Sequence, residues 1–86
     1  MTSVVLLTRQ GCSLCEEAEP RVRAAARWLR LGVRSADVDD AGLADRYGDR
    51  VPVVLGPDGT EIASGRIRSG RLFWRLLRAR SRPATG

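Results

Sequence analysis

Apolar and polar positions follow two different periods along the chain, and each change of period predicts a new element. Ser3–Thr8 is a near-continuous apolar run, which is typical of a strand buried on both faces of a parallel sheet. Residues from about Ser13 to Leu31 instead place apolar side chains three and four positions apart, the spacing of one helical face. That face consists of Leu14, Ala18, Val22, Ala25 and Leu29. The chain therefore opens with a strand and a long helix.

Single residues predict where the first two helices bend and end. Pro20 removes a helical hydrogen bond and predicts a kink in the first helix. Gly32 is predicted to end that helix as a left-handed cap. Asp39 or Asp40 can cap a second, shorter helix, which should end near Tyr47–Gly48. The first turn of the long helix is therefore expected to lie at an angle to the rest.

Short apolar runs and one long periodic segment account for the remaining elements. Val33–Val38, Pro52–Leu55 and Thr60–Ser64 are predicted strands, and the last two are joined by a hairpin turn at Gly56–Gly59. The last helix is predicted over Ser69–Arg80. Its apolar side is Leu72, Phe73, Leu76 and Leu77, and its opposite stripe is Arg71, Arg75 and Arg78.

The order of these elements, βαβαββα, predicts an α/β fold with a four-stranded mixed sheet flanked by three helices. Two parallel strands joined by a right-handed helical crossover should come first. A hairpin should follow, with its first strand antiparallel to the central strand. We expect one domain over residues 1–80 and a flexible tail over residues 81–86.

The two cysteines of the chain, Cys12 and Cys15, stand at the turn between the first strand and the first helix. Residues three apart on a helical turn have Cβ atoms about 5–6 Å apart, so the pair can be a dithiol or a disulfide with little backbone movement. Unpaired N–H groups and the helix dipole favour a thiolate on Cys12. A cysteine so placed titrates at about 3.5–7.5 instead of about 8.5. Cys12 is therefore the predicted nucleophile and Cys15 the resolving thiol, with Arg9 close enough to add positive charge.

Three interpretations of this pair compete. A structural zinc site needs four ligands, and a chain with two cysteines and no histidine cannot close one alone. A structural disulfide around a two-residue loop removes little entropy from the unfolded chain. A redox pair is favoured, while a metal or cluster site shared between chains and a pair of inert thiols remain open.

Length and charge narrow the class of protein. The 86 residues contain no run of about 20 apolar residues that could cross a membrane, and no secretory signal at the start. We therefore expect a cytoplasmic monomer without membrane contact, in a compartment where a CxxC pair is more often catalytic than structural. Every basic residue is arginine. Residues 66–86 carry seven arginines and no acid, whereas residues 1–65 carry eight arginines and ten acids.

Four features together resemble the thioredoxin superfamily, and within it the short glutaredoxin-like proteins, over about residues 3–80. They are the Arg9–Cys15 segment with its CxxC pair, Pro20 eight positions after the first cysteine, Val51–Pro52 before the third strand, and the Gly56–Gly59 turn. The resemblance implies a thiol–disulfide oxidoreductase with this fold. It also implies that Pro52 is a cis-proline beside the cysteines, and that the backbone of Val51 pairs with a bound thiol substrate.

The sequence departs from the family pattern at positions that bear on which low-molecular-weight thiol the protein would use. Thioredoxins have a Trp before the CxxC and a buried Asp, where this chain has Gly11 and Leu6. Glutaredoxins have Pro-Tyr between the cysteines and an Asp at the last helix, where this chain has Ser13-Leu14 and Ser69 after two arginines. The resemblance therefore implies thiol exchange more directly than it implies glutathione.

The predicted reaction is attack of the Cys12 thiolate on a mixed or protein disulfide, followed by resolution by Cys15. The substrate is expected between Arg9, Val51–Pro52 and the turn from Gly65 to Ser69. No permanently bound cofactor or metal is expected; glutathione or another low-molecular-weight thiol would be the co-substrate.

Two other classes of function are compatible with parts of the sequence. The arginine stripe of the last helix is an electrostatic footprint for nucleic acid, but it lacks an aromatic platform beyond Trp74. We expect these charges to attract an acidic partner or glutathione-like carboxylates instead. Glutaredoxin-like proteins with Ser after the first cysteine can share an iron–sulfur cluster between two chains. Ser13 therefore keeps a cluster-carrying or thiol-binding module open as the alternative function.

Overall fold

The computed structural model describes residues 3–81, without the side chains of Ser69, Arg80 and Ser81. Its elements in chain order are β1 (Ser3–Thr8), α1 (Ser13–Trp28), β2 (Gly32–Asp37), α2 (Ala44–Tyr47), β3 (Val53–Leu55), β4 (Glu61–Ser64) and α3 (Ser69–Ser81). The predicted βαβαββα order is confirmed. The last helix includes Ser81, and the rest of the predicted tail, residues 82–86, lies outside the described residues.

The four strands form one mixed sheet in the order β2-β1-β3-β4. β1 runs parallel to β2 and antiparallel to β3, with Leu6 opposite Val54 and Leu7 opposite Val53. The two residues of each pair lie on the same face of the sheet, and the two pairs lie on opposite faces, so the core is divided in two. Leu6 and Val54 pack under α1 and α3, while Leu7 and Val53 pack on the other face, where α2 lies.

The predicted apolar faces of the helices are largely confirmed. In α1 the side chains of Ala18, Val22 and Ala25 are buried, and in α3 those of Leu72 and Leu76 are fully buried. Leu14, Phe73 and Leu77 are only half-buried. In the part of the chain that the structure describes, no helix has both the length and the apolar character needed to span a bilayer.

The first helix ends three residues earlier than predicted, and Gly32 does not cap it. Arg30 adopts the left-handed conformation instead, with φ +58°. The N–H of Leu31 donates to the Ala26 carbonyl at 2.8 Å and the N–H of Arg30 to the Arg27 carbonyl at 3.2 Å, which is the Schellman pattern. This earlier turn lets Leu31 be buried while Gly32 already belongs to β2.

The predicted aspartate cap of the second helix is also wrong. Helix α2 begins after Leu43, which makes no side-chain cap. The Asp39 carboxylate binds Arg9 instead. Val38 donates its N–H to the Thr8 carbonyl at 2.9 Å, so pairing with β1 continues one residue past β2 and delays the helix.

The hairpin is confirmed, with smaller shifts at its strands. Gly56 donates to the Thr60 carbonyl at 2.8 Å, and Gly59 has φ +84°. β3 begins at Val53 and not at Pro52, and β4 begins at Glu61. Proline has no N–H to donate to a ladder, so pairing begins after Pro52.

Candidate functional site

A tight turn carries the chain from β1 into α1. Cys12 donates its N–H to the Arg9 carbonyl at 3.3 Å, which closes a four-residue turn. Its third position is Gly11, with φ +76°. A positive φ at this position belongs to turns that favour glycine. Residues 9–15, called the cysteine turn below, thus place the first sulfur directly at the start of a helix.

The sulfur of Cys12 caps that helix. Cys12 is the N-cap of α1, and its Sγ accepts the backbone N–H of Cys15 at 3.1 Å. The Cys12 carbonyl accepts the N–H of Glu16 at 3.2 Å. An acceptor at this position lies at the positive end of the helix dipole and accepts a hydrogen bond from one of the otherwise unpaired N–H groups of the first turn. This environment favours negative charge on the Cys12 sulfur.

The two cysteines form a disulfide, with their Cα atoms 5.2 Å apart. That separation lies within the ordinary range for such bonds. The two residues differ in exposure, since Cys15 is only 4% exposed whereas Cys12 is half-buried. A substrate approaching from solvent can therefore reach Cys12 more easily than Cys15.

A shallow depression of about 210 Å³ opens beside the pair. Its walls are the end of β1, the cysteine turn and the first turns of α1; the lining residues are Thr8, Arg9, Gln10, Gly11, Cys12, Cys15, Glu16 and Glu19. Glu19 forms an ion pair with Arg23 at 3.1 Å. The depression is therefore bordered by two carboxylates on the α1 side and one guanidinium on the β1 side.

That guanidinium, of Arg9, is bound to a segment thirty residues away. Its Nε and Nη2 donate to the two carboxylate oxygens of Asp39 at 3.1 and 3.2 Å. Its Nη1 donates to the Gly48 carbonyl at 3.5 Å. A Cβ on Gly48 would lie 2.5 Å from the Ala44 carbonyl oxygen and 3.0 Å from Arg9 Nη1. Sequence reasoning missed Asp39 and Gly48, because nothing local in the sequence marks them as neighbours of Arg9.

The loop before β3 and the loop after β4 meet at the same end of these two paired strands. The peptide bond between Val51 and Pro52 is cis. Leu7 lies opposite Val53 in the ladder, so Pro52 stands beside the end of β1, from which the cysteine turn departs. Gly65 donates its N–H to the Pro52 carbonyl at 2.9 Å and to the Arg50 carbonyl at 3.3 Å. The structure thus holds Val51, Pro52 and Gly65 together.

The segment between β4 and α3 is tied to the helix that carries the cysteines. Arg21 Nη1 donates to the Ile67 carbonyl at 2.8 Å, across 46 positions of sequence. Ser69 is the first residue of α3, and its side chain is not among those described. Sequence reasoning missed this contact of Arg21. A lone arginine on a helix face carries no sequence signal for it.

Among residues 3–81, no group of three or more His, Cys, Asp or Glu side chains is placed to hold a metal ion. Of the predicted site residues, the structure brings Arg9, Cys12 and Cys15 to one depression. It brings Val51, Pro52 and Gly65 to the neighbouring strand end. The catalytic and binding roles of these residues remain predictions.

Comparison with known proteins gives a consistent picture. A family model described as "Glutaredoxin-like domain (DUF836)" matches residues 3–77. An uncharacterized protein of Mycobacterium tuberculosis is 36% identical over 75 residues, covering 80% of this chain and 76% of that protein.

Solved structures share the same architecture. A structural genomics target protein from X. campestris superposes with a TM-score of 0.74 at 34% identity, covering 88% of this chain and 97% of that one. Thioredoxin 1 from Thermosipho africanus has a TM-score of 0.68 at 18% identity, covering 88% and 91%. The similarity to thioredoxin 1 concerns the fold alone. Together with the mixed four-stranded sheet and the three helices, this similarity confirms the predicted thioredoxin-like α/β fold.

Proposed function

The chain belongs to the glutaredoxin-like domain family, and we propose that it is a thiol–disulfide oxidoreductase whose reacting groups are Cys12 and Cys15. The observation that carries the proposal is the hydrogen bond from the Cys15 N–H to Cys12 Sγ at the start of α1. The same contact would stabilise a thiolate once the disulfide is reduced. A half-buried nucleophile beside a buried partner thiol is the arrangement that two-step exchange requires.

In the first step the Cys12 thiolate attacks one sulfur of a substrate disulfide. A bond forms between Cys12 Sγ and that sulfur, the substrate S–S bond breaks, and the other substrate sulfur leaves as a thiolate that takes up a proton. In the second step Cys15 loses its proton and attacks Cys12 Sγ. The mixed disulfide breaks and the second substrate sulfur leaves as a thiol. The substrate gains two electrons and two protons, and Cys12–Cys15 becomes the disulfide.

Turnover requires a reductant for that disulfide. Two equivalents of a low-molecular-weight thiol, glutathione or another, would return the pair to the dithiol and leave as their own disulfide. Glu16 and Glu19 border the depression, where Glu19 is paired with Arg23 and Arg9 is bound to Asp39. The carboxylates of an anionic thiol would therefore meet the like charge of Glu16 here, which favours a thiol of lower negative charge. We place the reaction in the cytoplasm, where thiols are kept reduced.

The substrate is proposed to lie across the strand ends beside Cys12. The backbone of Val51 would pair with the chain that carries the substrate sulfur, in the manner of a short added strand. Pro52 and Gly65, joined by a hydrogen bond, would shape one side of that site, with Ser69 beyond them and Arg9 opposite. Support for this placement comes from the sheet register, since β3 begins next to the end of β1.

A trapping experiment tests the reaction. The Cys15→Ser variant keeps the attacking thiol but cannot resolve the intermediate, so incubation with a small disulfide should leave a stable adduct on Cys12, identified by its added mass. The Cys12→Ser variant is the matched control and should form no adduct. Wild-type protein should instead form a reducible Cys12–Cys15 bond. An adduct on neither variant, together with a wild-type pair that no thiol reduces, would refute the proposal.

A further inference from the structure

A groove of about 510 Å³ runs between strand β4 and helix α3. Strand β4 forms one edge of the sheet, and β2 forms the opposite edge. The floor of the groove consists of the buried side chains Ile62, Ile67 and Leu72. We call it the β4–α3 groove. A volume of this size falls within the range of ordinary ligand sites, so the groove can seat several side chains of a partner.

The rim of the β4–α3 groove is strongly basic. Four of its lining residues are arginines with exposed side chains: Arg66, Arg68, Arg71 and Arg75. Of the described residues that line it, the only acid is Glu61, and both of its carboxylate oxygens accept from Arg50. Because Arg50 neutralises that carboxylate, the groove presents an excess of positive charge.

The sheet edge inside the groove is protected against pairing with another strand. Arg75 Nη1 donates to the Ile62 carbonyl at 2.7 Å and so covers part of the β4 backbone. The strand is four residues long, and its register with β3 is shifted by an irregularity between Val54 and Leu55. Short, bulged and covered edges resist strand addition. The groove is thus suited to hold the side chains of a partner and not to extend the sheet.

One end of the groove reaches the proposed redox site. Ser64 lines the groove, and the next residue, Gly65, donates to the Pro52 carbonyl. At the same end, Arg21 of the cysteine-bearing helix holds the Ile67 carbonyl. A chain bound in the groove would therefore continue directly toward the loop that stands beside the cysteine turn.

We propose that the β4–α3 groove docks an acidic segment of the protein disulfides that the Cys12–Cys15 pair reduces. The inference rests on the proposed function and names its substrate class. Carboxylates of the segment would bind the guanidinium groups of the rim, because a planar guanidinium can donate two parallel hydrogen bonds to one carboxylate. The apolar floor would accept the aliphatic parts of the same segment. The rim would steer acidic disulfides toward Cys12 in preference to neutral ones.

An acidic protein segment suits the groove better than a nucleic acid does. Binding of single strands uses aromatic platforms for base stacking, and no aromatic side chain is among the described residues lining the groove. Trp74 of α3 is 65% exposed but is not one of them. A four-residue strand spans only about 13 Å, which matches a short peptide segment more closely than a duplex.

The first test measures binding without exchange. A labelled peptide with four glutamates and no cysteine is titrated into oxidised wild-type protein and followed by fluorescence anisotropy; its all-glutamine counterpart is the control. We expect the acidic peptide to bind about tenfold more tightly at low ionic strength, and the difference to vanish in 1 M salt. Equal affinity for both peptides would overturn the proposal. So would tighter binding of an oligonucleotide of equal charge.

A matched pair of variants locates the site. Arg71→Glu should lower the affinity for the acidic peptide at least about fivefold. Arg34→Glu makes the same change of charge on β2, at the opposite edge of the sheet, and should lower it less than about twofold. Circular dichroism and thermal melting verify that both variants are folded. Equal losses in the two variants would indicate a response to net charge and would refute a specific groove.

The second test uses exchange. Each peptide carries one disulfide-linked reporter thiol, and the ratio of the acidic to the neutral release rate is measured. We expect a ratio of about ten in wild type and about two in Arg71→Glu. Reaction of both peptides at equal rates would leave the oxidoreductase intact and refute the docking. If neither peptide reacts, the oxidoreductase proposal fails, and the groove as a site for acidic chains stands or falls by the binding measurement.

Discussion

The cysteine turn and the β4–α3 groove are built in opposite ways. In the cysteine turn, the contacts that shape the sulfur of Cys12 come from residues a few positions away, in the turn and the first turn of α1. In the groove, the walls belong to different elements: Arg75 of α3 reaches 13 positions back to Ile62 of β4, and Arg21 of α1, which lies outside the lining, reaches 46 positions to Ile67. The chemistry is therefore locally determined, whereas recognition depends on the tertiary structure.

The two regions also differ in charge. Glu16 and Glu19 border the depression beside the cysteines; Glu19 is paired with Arg23, and the guanidinium of Arg9 is paired with Asp39. The groove carries arginines on its rim, and Arg50 neutralises Glu61 among its described lining residues. An anionic substrate would thus be attracted by one region and react at the other. This separation predicts that binding and exchange can be altered independently.

The largest expected effect is a loss of disulfide exchange that leaves binding in the groove intact. Cys12→Ser should lower the rate of disulfide exchange by on the order of 1,000-fold or more, because a serine hydroxyl stays protonated at neutral pH. Initial rates with the neutral peptide disulfide measure this. The affinity of the cysteine-free acidic peptide should stay within about twofold of wild type. A variant that keeps a tenth of the rate would show that Cys12 is not the nucleophile.

A second change tests how far the cysteine turn depends on its surroundings. Gly48→Ala would force a Cβ to within 2.5 Å of the Ala44 carbonyl oxygen, so the last turn of α2 or the Arg9 side chain must move. We expect the free energy of unfolding to fall by about 1–3 kcal/mol, measured by urea denaturation. An unchanged denaturation midpoint would contradict the close packing of Gly48 against these groups.

Gly11 of the cysteine turn and Gly70 of α3 separate the effect of backbone conformation from the effect of available space. A Cβ on Gly11 or on Gly70 would meet nothing within 4 Å, but Gly11 has φ +76° whereas Gly70 lies inside α3. Gly11→Ala should lower the free energy of unfolding by roughly 1–2 kcal/mol, and Gly70→Ala should raise it by about 0.4–1 kcal/mol. Urea denaturation of both variants checks the prediction. Shifts of the same sign would show that the turn conformation does not require glycine.

The smallest expected effect concerns the charge beside Cys12. Asp39→Asn removes the ion pair of Arg9, whose partners are both about half exposed, so stability should fall by less than about 1 kcal/mol. The freed guanidinium should favour the Cys12 thiolate and lower the pKa of Cys12 slightly. Thiolate absorbance near 240 nm, titrated in the Cys15→Ser background, measures this.

Asp49→Asn is the control for that titration, since it removes the same charge from an exposed residue that forms neither a hydrogen bond nor an ion pair with Arg9. The shift should be larger in Asp39→Asn and should shrink at high salt, because partly exposed charges are screened. Equal shifts in the two variants would mean that the ion pair does not influence Cys12.

Much of the fold could be predicted because its signals are periodic. The apolar run of β1 predicted its bounds, and the period of α3 predicted its two buried leucines, Leu72 and Leu76. The hairpin followed from Gly56–Gly59, whose residue types favour one turn conformation. The cysteine pair was equally readable, since a disulfide three residues apart at a helix start needs only local geometry.

The errors fall where distant parts of the chain compete for the same residue. Gly32 was the natural helix cap by residue type, yet Arg30 takes the left-handed conformation because Leu31 must be buried and Gly32 must pair with Ser3 in the sheet. Asp39 was a suitable helix cap by residue type, yet its carboxylate binds Arg9. Local preference is worth about 1 kcal/mol, which burial and pairing elsewhere can exceed.

The spacing of residues along the chain predicted the order of strands and helices, the parallel and antiparallel partners of β1, and the position of two thiols at a helix start. These depend on periodicity, chain connectivity and contacts within a few residues. The three-dimensional arrangement adds that Asp39 and Gly48 bind Arg9, that Gly65 donates to the Pro52 carbonyl, and that four arginines line one groove. Long side chains find partners by proximity in space, and a one-dimensional pattern carries no record of which distant segment will lie within their reach.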